Sequence, residues 1–195
     1  MNFINSLNNL NIKIFADGAD ISTIKSLSNL DYINKDNIQN LETAWVYKNG
    51  YVSDRTKSIS NNQSTPIFTG KSLLVTSLDN FVISLNPETG KEKWRLKLKS
   101  PTAKRGMTFF EGNIFVPSFE GVYVINEESG NLNNSFGKFG LIGTGDKEVS
   151  LVPPIVLKDK IYIVYKTFLS SHDLPSGKLN WRLDLNGARV WSGVS

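Results

Sequence analysis

The side chains in this sequence able to do chemistry are few and scattered. His172 is the only histidine and stands beside Asp173. A general-base dyad needs two side chains that converge, and neighbours on a strand point to opposite faces. The pair therefore reads as part of a turn of the form D-x-x-S-G-K rather than as a catalytic couple. "KEKWRLKLKS" sets Lys91, Lys93, Arg95, Lys97 and Lys99 on one side of a strand, with Trp94, Leu96 and Leu98 on the other. Such a stripe could bind phosphate or nucleic acid. The alternation favours a solvated outer strand whose lysines discourage edge pairing. Asp17, in "FADGAD", could serve as an acid and equally as a helix-capping group.

The bulk numbers set limits. Of 195 residues, 39% are hydrophobic and 21% charged, as in a folded domain. With 22 basic against 18 acidic residues, the net charge of +4 does not call for nucleic acid or an anionic membrane. Cysteine is absent, which excludes disulfides and thiolate metal sites. No stretch approaches the roughly 18 apolar residues of a membrane span. The opening "MNFINSLNNLNIKIF" has no basic, apolar and small-residue succession of a secretory signal, so nothing visible in it directs export.

The elements that must position those residues are strands. Past residue 60, "TPIFTG", "SLLVTS", "FVISLN", "MTFF", "IFVPSF", "VYVIN", "PPIVL" and "IYIVYK" are short β-branched or aromatic runs parted by Gly, Asn, Asp, Lys or Ser. One polar turn recurs, as "LNPETGKEKWR", "INEESGNLNNSF" and "HDLPSGKLNWR". Its glycines, Gly90, Gly130 and Gly177, lie 40 and 47 residues apart, the length of a four-stranded propeller blade. Pro87 and Pro175 pre-set φ early in the turn, and the glycine supplies positive φ later. Four residues beyond Gly90 and Gly177 stand Trp94 and Trp181. The middle copy is degenerate, with Asn134 in that place and Phe136 two residues on. A large ring at a fixed offset from a tight turn fills the gap between neighbouring wedge-shaped sheets. Each turn is therefore expected to join the last two strands of one blade. Trp191 falls outside this register, because Gly187 lacks the turn context.

The first sixty residues differ. "NIKIFADGADISTIKSLSNL" runs from a strand-like piece into a helical pattern with Asp20 as N-cap, and "NKDNIQNL" predicts a short helix capped at Asn34 or Asp36. We divide the chain into a strand–helix segment, 1–33, and a partial propeller, 34–195.

From about Leu27 onward the sequence resembles the pyrroloquinoline-quinone (PQQ) dependent dehydrogenases. "INKDNIQNLETAWVYKNG", with its Ala44–Trp45 pair, is similar to that family's lead-in segment, and "NQSTPIF" to the start of its first complete blade. "AKRGMTFF" resembles its Arg-Gly segment, "LNPETGKEKW" and "LPSGKLNW" its blade-closing motif, and "GARVWSGVS" the stretch carrying the tryptophan on which the quinone lies. The matches keep the family's order over about 165 residues, which makes them specific together.

The resemblance implies an all-β fold: about three four-stranded blades of an eight-bladed propeller, preceded by a short α/β or helical segment. It implies PQQ as cofactor, with Arg105 pairing with the quinone, Trp191 as its floor, and Gln63 near a quinone carboxylate. It also implies Ca2+ in the complete family protein, a periplasmic setting, and oxidation of an alcohol or sugar hydroxyl. In that reaction a carboxylate base takes the proton and hydride passes to the quinone. "KSPTAKRG" lacks the adjacent cysteines of the alcohol-oxidising branch, and "YKTFLSSHDL" lacks that branch's Glu-bearing calcium loop. The sugar or polyol branch is therefore expected, with no metal ligand to name. The family's catalytic aspartate lies beyond Ser195, so no catalytic residue is assigned. Three blades leave sheet edges and an apolar flank open. The partners expected are a small alcohol or sugar and the missing blades, from downstream sequence or another chain; nucleic acid and a membrane span are not. The alternative is a non-enzymatic propeller of the same repeats, similar to the lipoprotein scaffold of outer-membrane protein assembly, since the tryptophan motif is architectural. Separately, "IKIFADGADISTIKSL" resembles the opening strand and helix of a transaldolase-like barrel.

Overall fold

A computed structural model describes residues 33–51, 63–145 and 152–186. Among these residues twelve strands follow in chain order and form three four-stranded antiparallel sheets, each a simple meander. The first holds β1 (Ile67–Phe68), β2 (Leu73–Thr76), β3 (Phe81–Leu85) and β4 (Glu92–Lys97). The second holds β5 (Thr108–Phe110), β6 (Asn113–Ser118), β7 (Gly121–Asn126) and β8 (Leu141–Gly143). The third holds β9 (Ile155–Leu157), β10 (Lys160–Val164), β11 (Phe168–Asp173) and β12 (Leu179–Asp184). This is the partial propeller, three blades long.

Burial follows from that stacking. The second sheet is covered on both faces, so β6 and β7 are buried along nearly their whole length and read as continuous apolar runs. Ile114, Val116, Tyr123 and Ile125 point to the first sheet and meet Leu74 and Val82. Phe115, Val122 and Val124 point the other way, onto Val156, Ile161 and Ile163. Alternate residues thus serve two different cores. The fourth strands lie outermost; β4 is mostly exposed and β12 is exposed at every residue.

The repeated turn does what its composition requires. Gly90, Gly130 and Gly177 have φ of +67°, +69° and +72°, and each returns its N–H to the carbonyl of the turn's first residue, Asn86, Asn126 or Asp173. The tryptophan of one sheet lies on the glycine of the next. Trp94 donates its indole N–H to Glu127 O at 2.8 Å, and a Cβ at Gly130 would lie 2.5 Å from the ring. Trp45, ahead of the first sheet, repeats this on Pro87 O at 3.1 Å and Gly90.

Two expectations need correction in the second sheet and ahead of the first. The turn at Gly130 does not lead straight into the fourth strand: Leu132 makes a single bridge to Ile125, and β8 begins only at Leu141. Without a tryptophan there, Ile142 and Gly137 lie against Gly177, and Phe136 packs edge-on against Phe115 at 5.8 Å. The segment "NKDNIQNL" forms only a 3-10 turn, Ile38–Asn40, with Asn37 rather than Asn34 or Asp36 at its N-cap. Asn34 and Asn37 instead bond one another's loop, Asn34 N–H donating to Asn37 Oδ1 at 2.8 Å. The strand–helix reading of 1–33 and its transaldolase-like resemblance lie outside the described residues, apart from Ile33.

Candidate cofactor-binding face

In a four-stranded meander, the crossover from the fourth strand to the next sheet emerges at the same end as the turn between the second and third strands. The glycine turns lie at the opposite end. At the crossover end, the segments leading into β1, β5 and β9 come together. Gln63 N–H donates to Lys104 O at 3.1 Å, and Arg105 Nε donates to Gln63 Oε1 at 3.3 Å. Thr108 Oγ donates to Pro154 O, tying β5 to the start of β9. The innermost strands thus converge.

The Arg-Gly pair has a local cause. Gly106 takes φ +117°, which an L side chain rarely adopts, and a Cβ there would meet Ser64 Oγ at 3.4 Å and Pro153 at 3.8 Å. The bend lets the backbone pass between the first and third lead-in segments and leaves Arg105 half-buried at their junction. Gln63 accepts from Arg105 through its carbonyl oxygen, and its amide group carries two N–H donors besides. A guanidinium, an amide donor and the neighbouring Lys104 suit carboxylates and quinone oxygens. Beside them, the β2–β3 turn and the crossover share a shallow hollow lined by Thr76, Asn80, Thr102 and Lys104.

The structure therefore unites two of the three residues singled out in the sequence, Arg105 and Gln63. Trp191 lies outside the described residues. His172 and Asp173 do not converge: Asp173 accepts from Lys160 and Asn180, while His172 contacts Ser170 and Gly177 O. The lysine-rich strand is outermost and mostly exposed, and part of its charge is committed within the blade. Lys93 donates to Ser72 Oγ at 2.7 Å. Arg95 forks onto both oxygens of Glu92 at 2.9 and 2.7 Å, and Tyr47 donates to the same carboxylate at 2.6 Å. Those bonds, Arg95's foremost, hold the Glu92 carboxyl below its ordinary pKa. Among the described residues, no three His, Cys, Asp or Glu side chains gather where they could hold a metal ion. No described helix is long and apolar enough to cross a membrane.

Sequence reasoning missed the partners of the indoles. The carbonyls of Pro87 and Glu127 carry no side-chain signal; their constant place, three residues before the turn glycine, was the available clue.

The profile of the family described as "Glucose/ethanol/alcohol dehydrogenase, beta-propeller domain", named for PQQ, matches residues 22–182. The chain belongs to this family. It is 28% identical over 146 residues to "Quinoprotein glucose dehydrogenase A" of Acinetobacter calcoaceticus, a match covering 59% of this chain and 18% of that one. It is 27% identical over 175 residues to the "Lanthanide-dependent methanol dehydrogenase" of Methylorubrum extorquens, covering 80% and 28%. In three dimensions it is similar to the quinohemoprotein alcohol dehydrogenase from Comamonas testosteroni, with a TM-score of 0.63 at 19% identity, over 80% of this chain and 25% of that one. The chain spans less than a third of these relatives' lengths.

Proposed function

We propose that this chain is the amino-terminal part of a PQQ-dependent dehydrogenase that oxidises an alcohol or sugar hydroxyl, and that it does not turn over alone. The observation that carries this reading is the Arg105–Gln63 contact beside Gly106 at the axial end of the blades. A scaffold propeller needs the tryptophan docks but has no use for a cation and an amide donor gathered there. Arg105 binds an oxyanion edge of PQQ, Gln63 orients a carboxylate, and Trp191 lies under the rings. PQQ, when bound, supplies the two-electron acceptor. The partial propeller occupies 34–195, and 1–33 is a separate segment. The catalytic base and any Ca2+ ligands belong to the missing blades, which come from downstream sequence or a second polypeptide. The complete protein works in the periplasm, a reading the family likeness supports.

A PQQ titration of the purified chain, followed by tryptophan fluorescence with and without Ca2+, tests this. Saturable quenching is expected, weakened about tenfold or more by Arg105→Ala, since a hydrogen bond to a charged group contributes about 1.5–3 kcal/mol. No dye reduction with glucose or alcohols is expected from the chain alone. Absence of quenching contradicts the site; turnover by the chain alone contradicts its incompleteness.

A further inference from the structure

The three closing turns put Leu85, Ile125 and His172 at one equivalent place, the residue before Asn86, Asn126 and Asp173. All three are buried, with exposures of 1%, 0% and 2%. Two residues earlier stand Ile83, Tyr123 and Ser170. The third sheet has thus replaced an apolar pair by a hydroxyl and an imidazole. These face the second sheet: His172 pairs with Ile161 and Ser170 with Ile163, both in the cluster that meets Phe115 and Val124.

The Gly177 carbonyl selects one tautomer of the neutral ring. Gly177 O only accepts, so His172 Nδ1–H donates to it at 3.1 Å; Nε2 is then the acceptor for Ser170 Oγ–H at 3.0 Å. Burial holds the imidazole below its ordinary pKa, and the Gly177 carbonyl opposes this more weakly. The charged groups around it are engaged elsewhere or exposed. Asp173, next on its own strand, is bound to Lys160 and Asn180; on β10, Lys160 is also bound to Asp159. Lys178 in the turn and Lys138 and Glu111 on the second sheet are exposed, and Arg182 on β12 is bound to Asp184. Among the described residues, none of these hydrogen-bonds His172.

This joint is also the one without a docking tryptophan. The third turn is held to the second sheet by Gly137 N–H donating to Pro175 O at 2.8 Å and by Ile142 against Gly177. We propose that the Ser170–His172 pair makes this joint a proton-operated latch, in which neutral His172 keeps the third closing turn seated and a proton on Nε2 releases it. The proton converts Nε2 from acceptor to donor against Ser170 and places an unpaired cation in an apolar joint. The first joint, sealed by Trp94, has no histidine; its buried carboxyl, Glu127, accepts from Thr69.

Hydrogen–deuterium exchange of the whole chain at pH 7.5 and 5.0, corrected for intrinsic rates, tests this. Opening of 168–184 should rise up to about 30-fold at the lower pH, the limit for one histidine of unfolded pKa near 6.5. Opening of 81–97 should not follow it. His172→Leu, the residue of the first sheet, should abolish the rise. Because the chain has a single histidine, its ring NMR signals can be followed directly, and Ser170→Ala offers a second variant if His172→Leu does not fold. A ring that titrates at its ordinary pKa in the folded chain, an equal rise in His172→Leu, or loosening of both joints together would overturn the proposal.

Discussion

Gly130→Ala and Gly112→Ala both put an alanine at a positive-φ glycine, yet their costs should differ by what the docked tryptophan contributes. Both glycines have positive φ, +69° and +73°. An alanine at Gly112 meets nothing within 4 Å. It should cost about 1 kcal/mol, the penalty of a left-handed L-residue. At Gly130 the new methyl would lie 2.5 Å from Trp94 Cδ2, about 1 Å inside normal contact. The ring must retreat by about that much, which breaks the 2.8 Å bond from its Nε1 to Glu127 O and opens the joint. Loss of the bond costs about 1 kcal/mol and the overpacking at least as much again, so Gly130→Ala should cost about 3 kcal/mol. Urea unfolding followed by circular dichroism gives both values, with the slopes compared to check that the same unit unfolds. In a Trp94→Ala background the Gly130→Ala cost should fall to that of Gly112→Ala, a coupling of about 2 kcal/mol. Equal costs in the intact chain, or no coupling, would refute the dock as the source of inter-sheet stability.

Other outcomes follow from the same geometry. Trp181 occupies the place of Trp94 but, among the described residues, docks on no further turn and is 44% exposed. Trp181→Ala should therefore cost under about 1 kcal/mol in this chain, against about 3 for Trp94→Ala, by the same urea assay. Asp173 is held below its ordinary pKa, chiefly by the Lys160 hydrogen bond and then by Asn180. Its contribution is present above an unfolded pKa of about 3.9 and is lost as pH falls through the lower folded value, so Asp173→Asn should flatten the stability profile in that acid range. Tyr47→Phe removes the group that donates to Glu92 and accepts from Arg95. It should raise the Glu92 pKa slightly and make 41–51 more open to proteolysis.

The strands that were easiest to see are those buried on both sides. "FVISL", "NIFVPS" and "GVYVIN" are β3, β6 and β7, whose side chains fill cores on each face. Of the four strands that are not apolar runs, β4 and β12 each follow a closing turn, whereas β8 and β11 carry no such mark. β11, "FLSSHD", buries Ser170, Ser171 and His172, so its interior carries no hydrophobic signal. β8 is three residues long in a glycine-rich stretch, and the turn that should have announced it lies ten residues upstream. The period was legible because glycine and tryptophan have fixed jobs at fixed offsets. The acceptors of the indoles were not, because a backbone carbonyl leaves no mark on residue type. Arg105 and Gln63 stood out only through resemblance. Forty-two residues separate them, and only the docking of two lead-in segments makes them neighbours.

The most direct test of the account is a crystal structure of the chain, or of the polypeptide that contains it, with PQQ bound. The quinone should sit at the crossover end, with an oxygen within hydrogen-bonding distance of the Arg105 guanidinium and Gln63 beside it. PQQ seated at the glycine-turn end, or bound axially with Arg105 turned away, would contradict it.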